Sequence, residues 1–210
     1  MTLRKNIIYR FFSIILLSKG VSDINVVSYG WEVFERNSDS RTLALAQSGI
    51  GYPIQNHGTV LLNPALSLSH NNMIGLTHQS RMSGTSNSEF IGFDKYINDS
   101  SWVSVIILYE GVDGIPDTRG ALLDWGLDGI FGTFDVGEGN GSLDEGERLD
   151  VDKIRFFNQN IFGLYGAHSK IFNNWRIGFG LKIMLHTIDK EFGIGAGLDI
   201  GAFRNYNNTG

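Results

Sequence analysis

The sequence predicts an all-β protein, an antiparallel transmembrane β-barrel whose strands are too few to close, and three observations lead there. The longest periodic run alternates every second residue, with Trp175, Ile177, Phe179, Leu181, Ile183 and Leu185 against Arg176, Gly178, Gly180, Lys182, Met184 and His186. The composition, with 27 Gly, 12% aromatic and only 19% charged residues, does not suit a helical bundle. Its 42% hydrophobic content and 3 Pro exclude a disordered or fibrous chain. Finally, Arg4, Lys5 and Arg10 precede the apolar run at 11–17, the layout of a secretory leader over residues 1–24.

The strands follow in order. Residues 73–81 and 89–97 read as a hairpin across the Ser/Gly/Asn-rich turn at 83–88. Val103, Val105, Ile107 and Tyr109 alternate with Trp102, Ser104, Ile106 and Leu108, so this strand is apolar on both faces and is expected to be covered on both sides. Residues 154–168 form another long strand whose alternation slips near Phe156 and Phe157. After the run from Trp175, a turn at 187–190 leads to Phe192, Ile194, Ala196, Leu198, Ile200 and Ala202, which alternate with Glu191, Gly193, Gly195, Gly197, Asp199 and Gly201. A tilted membrane-spanning strand needs about 9–11 residues, against about five or six for an ordinary strand. A greasy face opposed to a glycine and polar face fits a wall between lipid and a wet lumen. The six or seven spanning strands fall short of the eight or more, in even number, of bacterial barrels.

Several chemistries are excluded. With no Cys, disulfides, thiolate metal sites and thiol catalysis are absent. The glycines at 193, 195 and 197 are a strand face, because Leu198 stands where a dinucleotide loop needs its third glycine and no helix follows. Neither a nucleophile elbow nor a phosphate loop occurs, and no basic stripe with interleaved aromatics points to nucleic acid. The chain does not read as an enzyme.

The charge is uneven. Residues 110–152 hold 12 of the 22 acids and only two bases, Arg119 and Arg148. Within this stretch Asp124, Asp128, Asp135, Glu138, Asn140, Asp144 and Glu147 lie among glycines, and such oxygens on a flexible loop are what calcium takes. With Glu147 as twelfth position of an EF-hand loop, Asp144 is ninth, Gly141 sixth, Asn140 fifth and Glu138 third, but the first position is Val136, a non-ligand. Two readings stay open: a variant structural calcium site of weak affinity, at about 10⁻⁴–10⁻³ M, or a solvated acidic loop of Asx and glycine turns. His57, His70, His78, His168 and His186 are scattered without metal-ligand spacing.

Residues 41–51, Arg-Thr-Leu-Ala-Leu-Ala-Gln-Ser-Gly-Ile-Gly, are followed by Leu62-Asn63-Pro64-Ala65-Leu66, in which Asn63 can cap a turn that Pro64 begins. This pair of motifs resembles the PorV/PorQ family of outer-membrane proteins, relatives of the FadL fatty-acid transporters. The resemblance runs over residues 40–110 and, by strand pattern, over the rest. It implies a FadL-like barrel with residues 25–70 as a lumen segment, residues 71–210 as barrel strands and the acidic loop 110–152 inserted among them. It also implies about twice the strands seen here, so that the chain reads as incomplete. The expected function is an outer-membrane pore or transporter of small hydrophobic molecules, or a component associated with the secretion of other proteins. The alternative is a soluble secreted β-sandwich with a calcium loop, acting in binding or adhesion.

Overall fold

The computed structural model describes residues 31–51, 56–66 and 71–204. The expected leader at 1–24 and the tail beyond Arg204 lie outside the described residues. The described chain is mostly antiparallel β. Six strands form one meander: β1 (Met73–Arg81), β2 (Ser86–Asn98), β3 (Ser101–Asp117), β6 (Arg155–Phe172), β7 (Trp175–Ile188) and β8 (Glu191–Arg204), each paired with its neighbour in that order. A two-stranded ribbon, β4 (Leu122–Leu123) and β5 (Arg148–Leu149), closes the base of the acidic loop. Among the described residues the large sheet stays open, with β1 and β8 as its edges.

β3 runs on to Asp117, so the first residues of the acidic stretch are strand and not loop. The pairing of β3 with β6 jumps from Val112–Gln159 to Ile115–Phe157. Gly114, at φ +68°, sits in this bulge and donates to the Asn158 side chain at 3.1 Å. The alternation slips near Phe156 because β3 carries the extra residues.

Before the sheet come three one-turn helices, α1 (Glu32–Arg36), α2 (Ser40–Ala44) and α3 (Thr59–Leu62), and a 3₁₀ turn at Pro64–Leu66. Helices this short do not persist in water by themselves. They persist because Val33, Phe34 and Val60 enter one buried cluster with Phe90, Ile106, Leu108, Ile161, Tyr165 and Met184 of the sheet. The N-terminal segment therefore covers one face of the sheet.

On β7 and β8 the covered face is the one with the glycines and polar groups. On β7, Gly178, Gly180 and Met184 are buried, while Phe179, Leu181, Ile183 and Leu185 are exposed. On β8, Leu198 is 80% and Ile200 77% exposed. β3 is covered on one side only, against the expectation of two. Ile106 and Leu108 are fully buried, but Val105 and Ile107 on its other face are exposed, because no second layer lies there among the described residues.

Two cross-strand glycine pairs admit the segment. Gly178 faces Gly201, and a Cβ at these positions would lie 2.2 Å from the Pro64 carbonyl carbon and 1.9 Å from the Asn63 side-chain oxygen. Gly75 faces Gly92, and a Cβ there would lie 2.2 Å and 2.7 Å from His57. Gly178→Ala or Gly201→Ala is expected to lower stability by about 1–3 kcal/mol through overpacking. Gly193→Ala, whose Cβ would meet nothing within 4 Å, is expected to leave it unchanged. Urea unfolding midpoints of the three variants check this.

Candidate functional site

The site is built where the N-terminal segment meets the glycine face. Asp39 organises the segment. One oxygen of its carboxylate caps α2, accepting from the N–H groups of Arg41 and Thr42 at 3.0 and 3.1 Å. The other accepts from the Thr42 hydroxyl at 2.7 Å and the Gly58 N–H at 2.6 Å. Asn56 donates to Asp39 and Thr42 at 3.2 and 2.8 Å, so one buried carboxylate joins residues 39–42 to residues 56–58.

Next to this knot, His57 reaches the sheet. Its Nδ1 stands 2.6 Å from the Asp94 carboxylate on β2, with both side chains 7% exposed, and the Ser104 hydroxyl of β3 donates to the same carboxylate. Further along, Asn37 donates to Glu110 at 3.0 Å while Arg81 donates to Asn37 at 3.0 Å and Ser88 at 3.2 Å, and stands 3.5 Å from Glu110. Glu110, counted by sequence with the acidic stretch, is thus a polar tie on the covered face.

The Asn63-Pro64-Ala65 motif lies against β7 and β8. The Asn63 side chain accepts from the Ala65 N–H at 2.9 Å, capping the turn that Pro64 begins, and donates to the Ala202 carbonyl at 3.3 Å. Between this turn, Trp31, Phe34, Leu61 and β8 is a cavity of about 530 Å³. Lys182 crosses it, paired with Asp199 at 2.9 Å and lying 5.4 Å from the Trp31 ring centre. Trp31, Phe34 and Leu61 line it together with the polar side chains of Glu35, Asn63, Lys182 and Asp199.

The acidic loop is separate from this face. Asp124 accepts from the N–H groups of Gly139, Asn140 and Gly141 at 2.7, 3.3 and 2.7 Å. Asp128 accepts from Ile130 at 2.8 Å, Asp135 from Asp128 at 2.8 Å, and Glu138 from Gly132 and Phe134. Glu147 accepts from Gly126 at 2.8 Å and Asp144 at 3.0 Å, and the Asn140 amide donates to Asp144. The candidate calcium ligands are thus spread along one loop, each accepting from nearby N–H groups. Among the described residues no three His, Asp or Glu side chains converge as a metal-ion group. The N–H of Gly141, then those of Gly139 and Asn140, hold the Asp124 carboxyl below the usual carboxylate range.

Sequence reasoning missed Asp39 and the His57–Asp94 pair. The Asp39-Ser40-Arg41-Thr42 order is a readable cap signal, but the partners of His57 are set only by folding. No family model matches the chain, and neither a characterised protein nor a solved structure matches it significantly.

Two outcomes follow from this geometry. Asp94→Ala is expected to destabilise by about 3–5 kcal/mol by stranding its partners in a dry site, and the His57→Ala, Asp94→Ala double variant to cost less than the two singles added, as read from a double-mutant cycle in urea. Because the Asp124 carboxyl is depressed on folding, its contribution to loop order is present above about pH 4 and fades as pH falls through the lowered value. Limited proteolysis within residues 124–147 should therefore rise below about pH 4 in the native chain, but not in Asp124→Asn.

Proposed function

We propose that this chain forms wall strands of an outer-membrane β-barrel of the PorV/PorQ type, with its N-terminal segment on the lumen side, and that it serves the passage of small hydrophobic molecules. The observation that carries this is the orientation of the sheet. The face left bare is apolar across the sheet, and on β7 and β8 the face covered by the chain is the glycine and polar one.

In water this arrangement is unfavourable, since soluble monomers rarely expose large contiguous apolar patches. Here Ile74, Phe93, Val105, Leu181 and Leu198 lie in one transverse row of the register, interrupted only by Gly166 on β6. The next row reads Leu76, Ile91, Ile107, Leu164, Ile183 and Ala196. The field is tallest on β7 and β8, where every outward residue from Trp175 to Leu185 and from Phe192 to Ala202 is apolar, the length a tilted strand needs to cross a hydrocarbon layer. A soluble sandwich would bury this face against a second sheet, and among the described residues the only other sheet is the β4–β5 ribbon. No helix of the described residues is long and apolar enough to span a membrane, which bears on helices alone.

The covered face supports the transport part of the reading. The cavity beside Trp31 and Phe34 lies between the segment and the strands, where two glycine slots and the cluster around Val33, Phe34 and Val60 seat the segment.

Expressed behind its own leader, the chain is expected to sediment with outer membranes, to need detergent for release, and to migrate faster in unheated gel samples. Recovery from the soluble fraction overturns the reading. Leu181→Arg, near the middle of the apolar field, is expected to cost about 2–4 kcal/mol of folding stability in lipid. Leu127→Arg, at an exposed position of the acidic loop, should stay within about 0.5 kcal/mol. Urea titration in lipid vesicles reads both.

A further inference from the structure

The two ends of the sheet differ in connection and in charge. At one end β2 joins β3 and β6 joins β7 through the two-residue turns 99–100 and 173–174. At the other lie the turns at 82–85 and 189–190 and the long acidic loop. On the bare face the rim at the long-loop end carries Glu89, paired with His78 at 2.7 Å. The rim at the short-turn end carries Lys95, Lys170 and Arg204.

We propose that this short-turn rim, formed by Lys95, Lys170 and Arg204 beside Phe172 and Trp175, binds the phosphate headgroups of phospholipids. The inference rests on the membrane reading above and adds to it a recognised lipid chemistry and an orientation. Lys95 shares a register row with Val103 and His168, Lys170 is two residues further along the same face of β6, and Arg204 shares its row with Phe172 and Trp175. The three cations therefore follow the lower edge of the apolar field obliquely from β2 to β8. All three are exposed, and among the described residues neither Lys95 nor Lys170 has a carboxylate partner. The Arg204 guanidinium lies 5.4 Å from the Trp175 ring centre, so an aromatic ring and a cation are offered together at the margin.

Asp99, in the turn, receives the Tyr96 hydroxyl, and Asp94 is buried on the opposite face with His57. A ligand here meets cations at one end and exposed apolar side chains such as Ile177 and Phe179 directly beside them. That demands an amphiphile with an anionic head, which describes a phospholipid and not a free anion. Barrels place short turns on the periplasmic side and long loops outside, so this rim faces the phospholipid leaflet.

The test refolds the full chain into vesicles of phosphatidylcholine and into vesicles that also contain phosphatidylglycerol, and scores the heat-modifiable folded band. The native chain is expected to fold in both and at least about fivefold more with the anionic lipid. The Lys95→Gln, Lys170→Gln, Arg204→Gln variant should fold in phosphatidylcholine as well as the native chain does, yet lose that preference. A control with Lys153→Gln and Lys190→Gln at the long-loop end should keep it. Equal folding of the native chain in both vesicles, or a preference that survives in the triple variant, overturns the headgroup proposal and leaves the membrane reading standing. Failure to fold in either vesicle overturns both. Inorganic phosphate should weaken the preference no more than chloride of equal ionic strength; a stronger effect would make the strip a free-anion site and sink the lipid assignment.

Discussion

The close approach of the N-terminal segment to two pairs of facing glycines is the contact on which the rest of the structure depends. Gly75 with Gly92, and Gly178 with Gly201, leave gaps in the sheet where any Cβ would collide with His57 or with the Asn63-Pro64-Ala65 turn. Since interiors are packed to crystal-like density, such gaps admit a polypeptide backbone only if nothing projects from the strands. The glycine face is thus a seat shaped for this segment, and the apolar face is left to whatever surrounds the sheet. The cavity beside Trp31 and the bare apolar field both follow from that choice.

A segment seated on this face brings its own buried polar groups, which are costly to leave unpaired. Asp39 holds the segment's fold by accepting from five groups in two stretches of chain, and His57, Asp94 and Ser104 tie that knot to the wall. Asn37, Arg81 and Glu110 repeat the arrangement toward the other end of β2 and β3. Hydrogen bonds of this kind add little net stability but are costly to leave half-made. They therefore fix where the segment sits more than how strongly it holds. The acidic loop uses the same device in reverse, folding backbone N–H groups onto its own carboxylates so that dense negative charge is held in a compact loop.

Much of the fold was legible in the residues. The strands beginning at Met73, Trp175 and Glu191 lie where the alternation put them, because side-chain direction along a strand has a period of two. The slip near Phe156 was visible too, but its cause was not, since the bulge at Asp113 and Gly114 lies on the partner strand. Of the site, Asn63-Pro64-Ala65 was readable as a capped turn, whereas its seat on Gly178 and Gly201 was not. Asp39 carried a cap signal that was overlooked beside the louder acids at 124–147. Glu110 was grouped with those acids by position and is held instead by Arg81 and Asn37, across distances in sequence that no local pattern encodes.

What the sequence by itself determined is that the two strands beginning at Trp175 and Glu191 each have one apolar and one glycine or polar face, because alternation is a local property of the chain. Which face is covered was decided only by the tertiary structure. Period-two patterning reads the same whether the greasy side points into a core or away from one, and the choice needs a distant element to lie down on one side. Here the N-terminal segment covers the glycines, since only that face has room for a backbone.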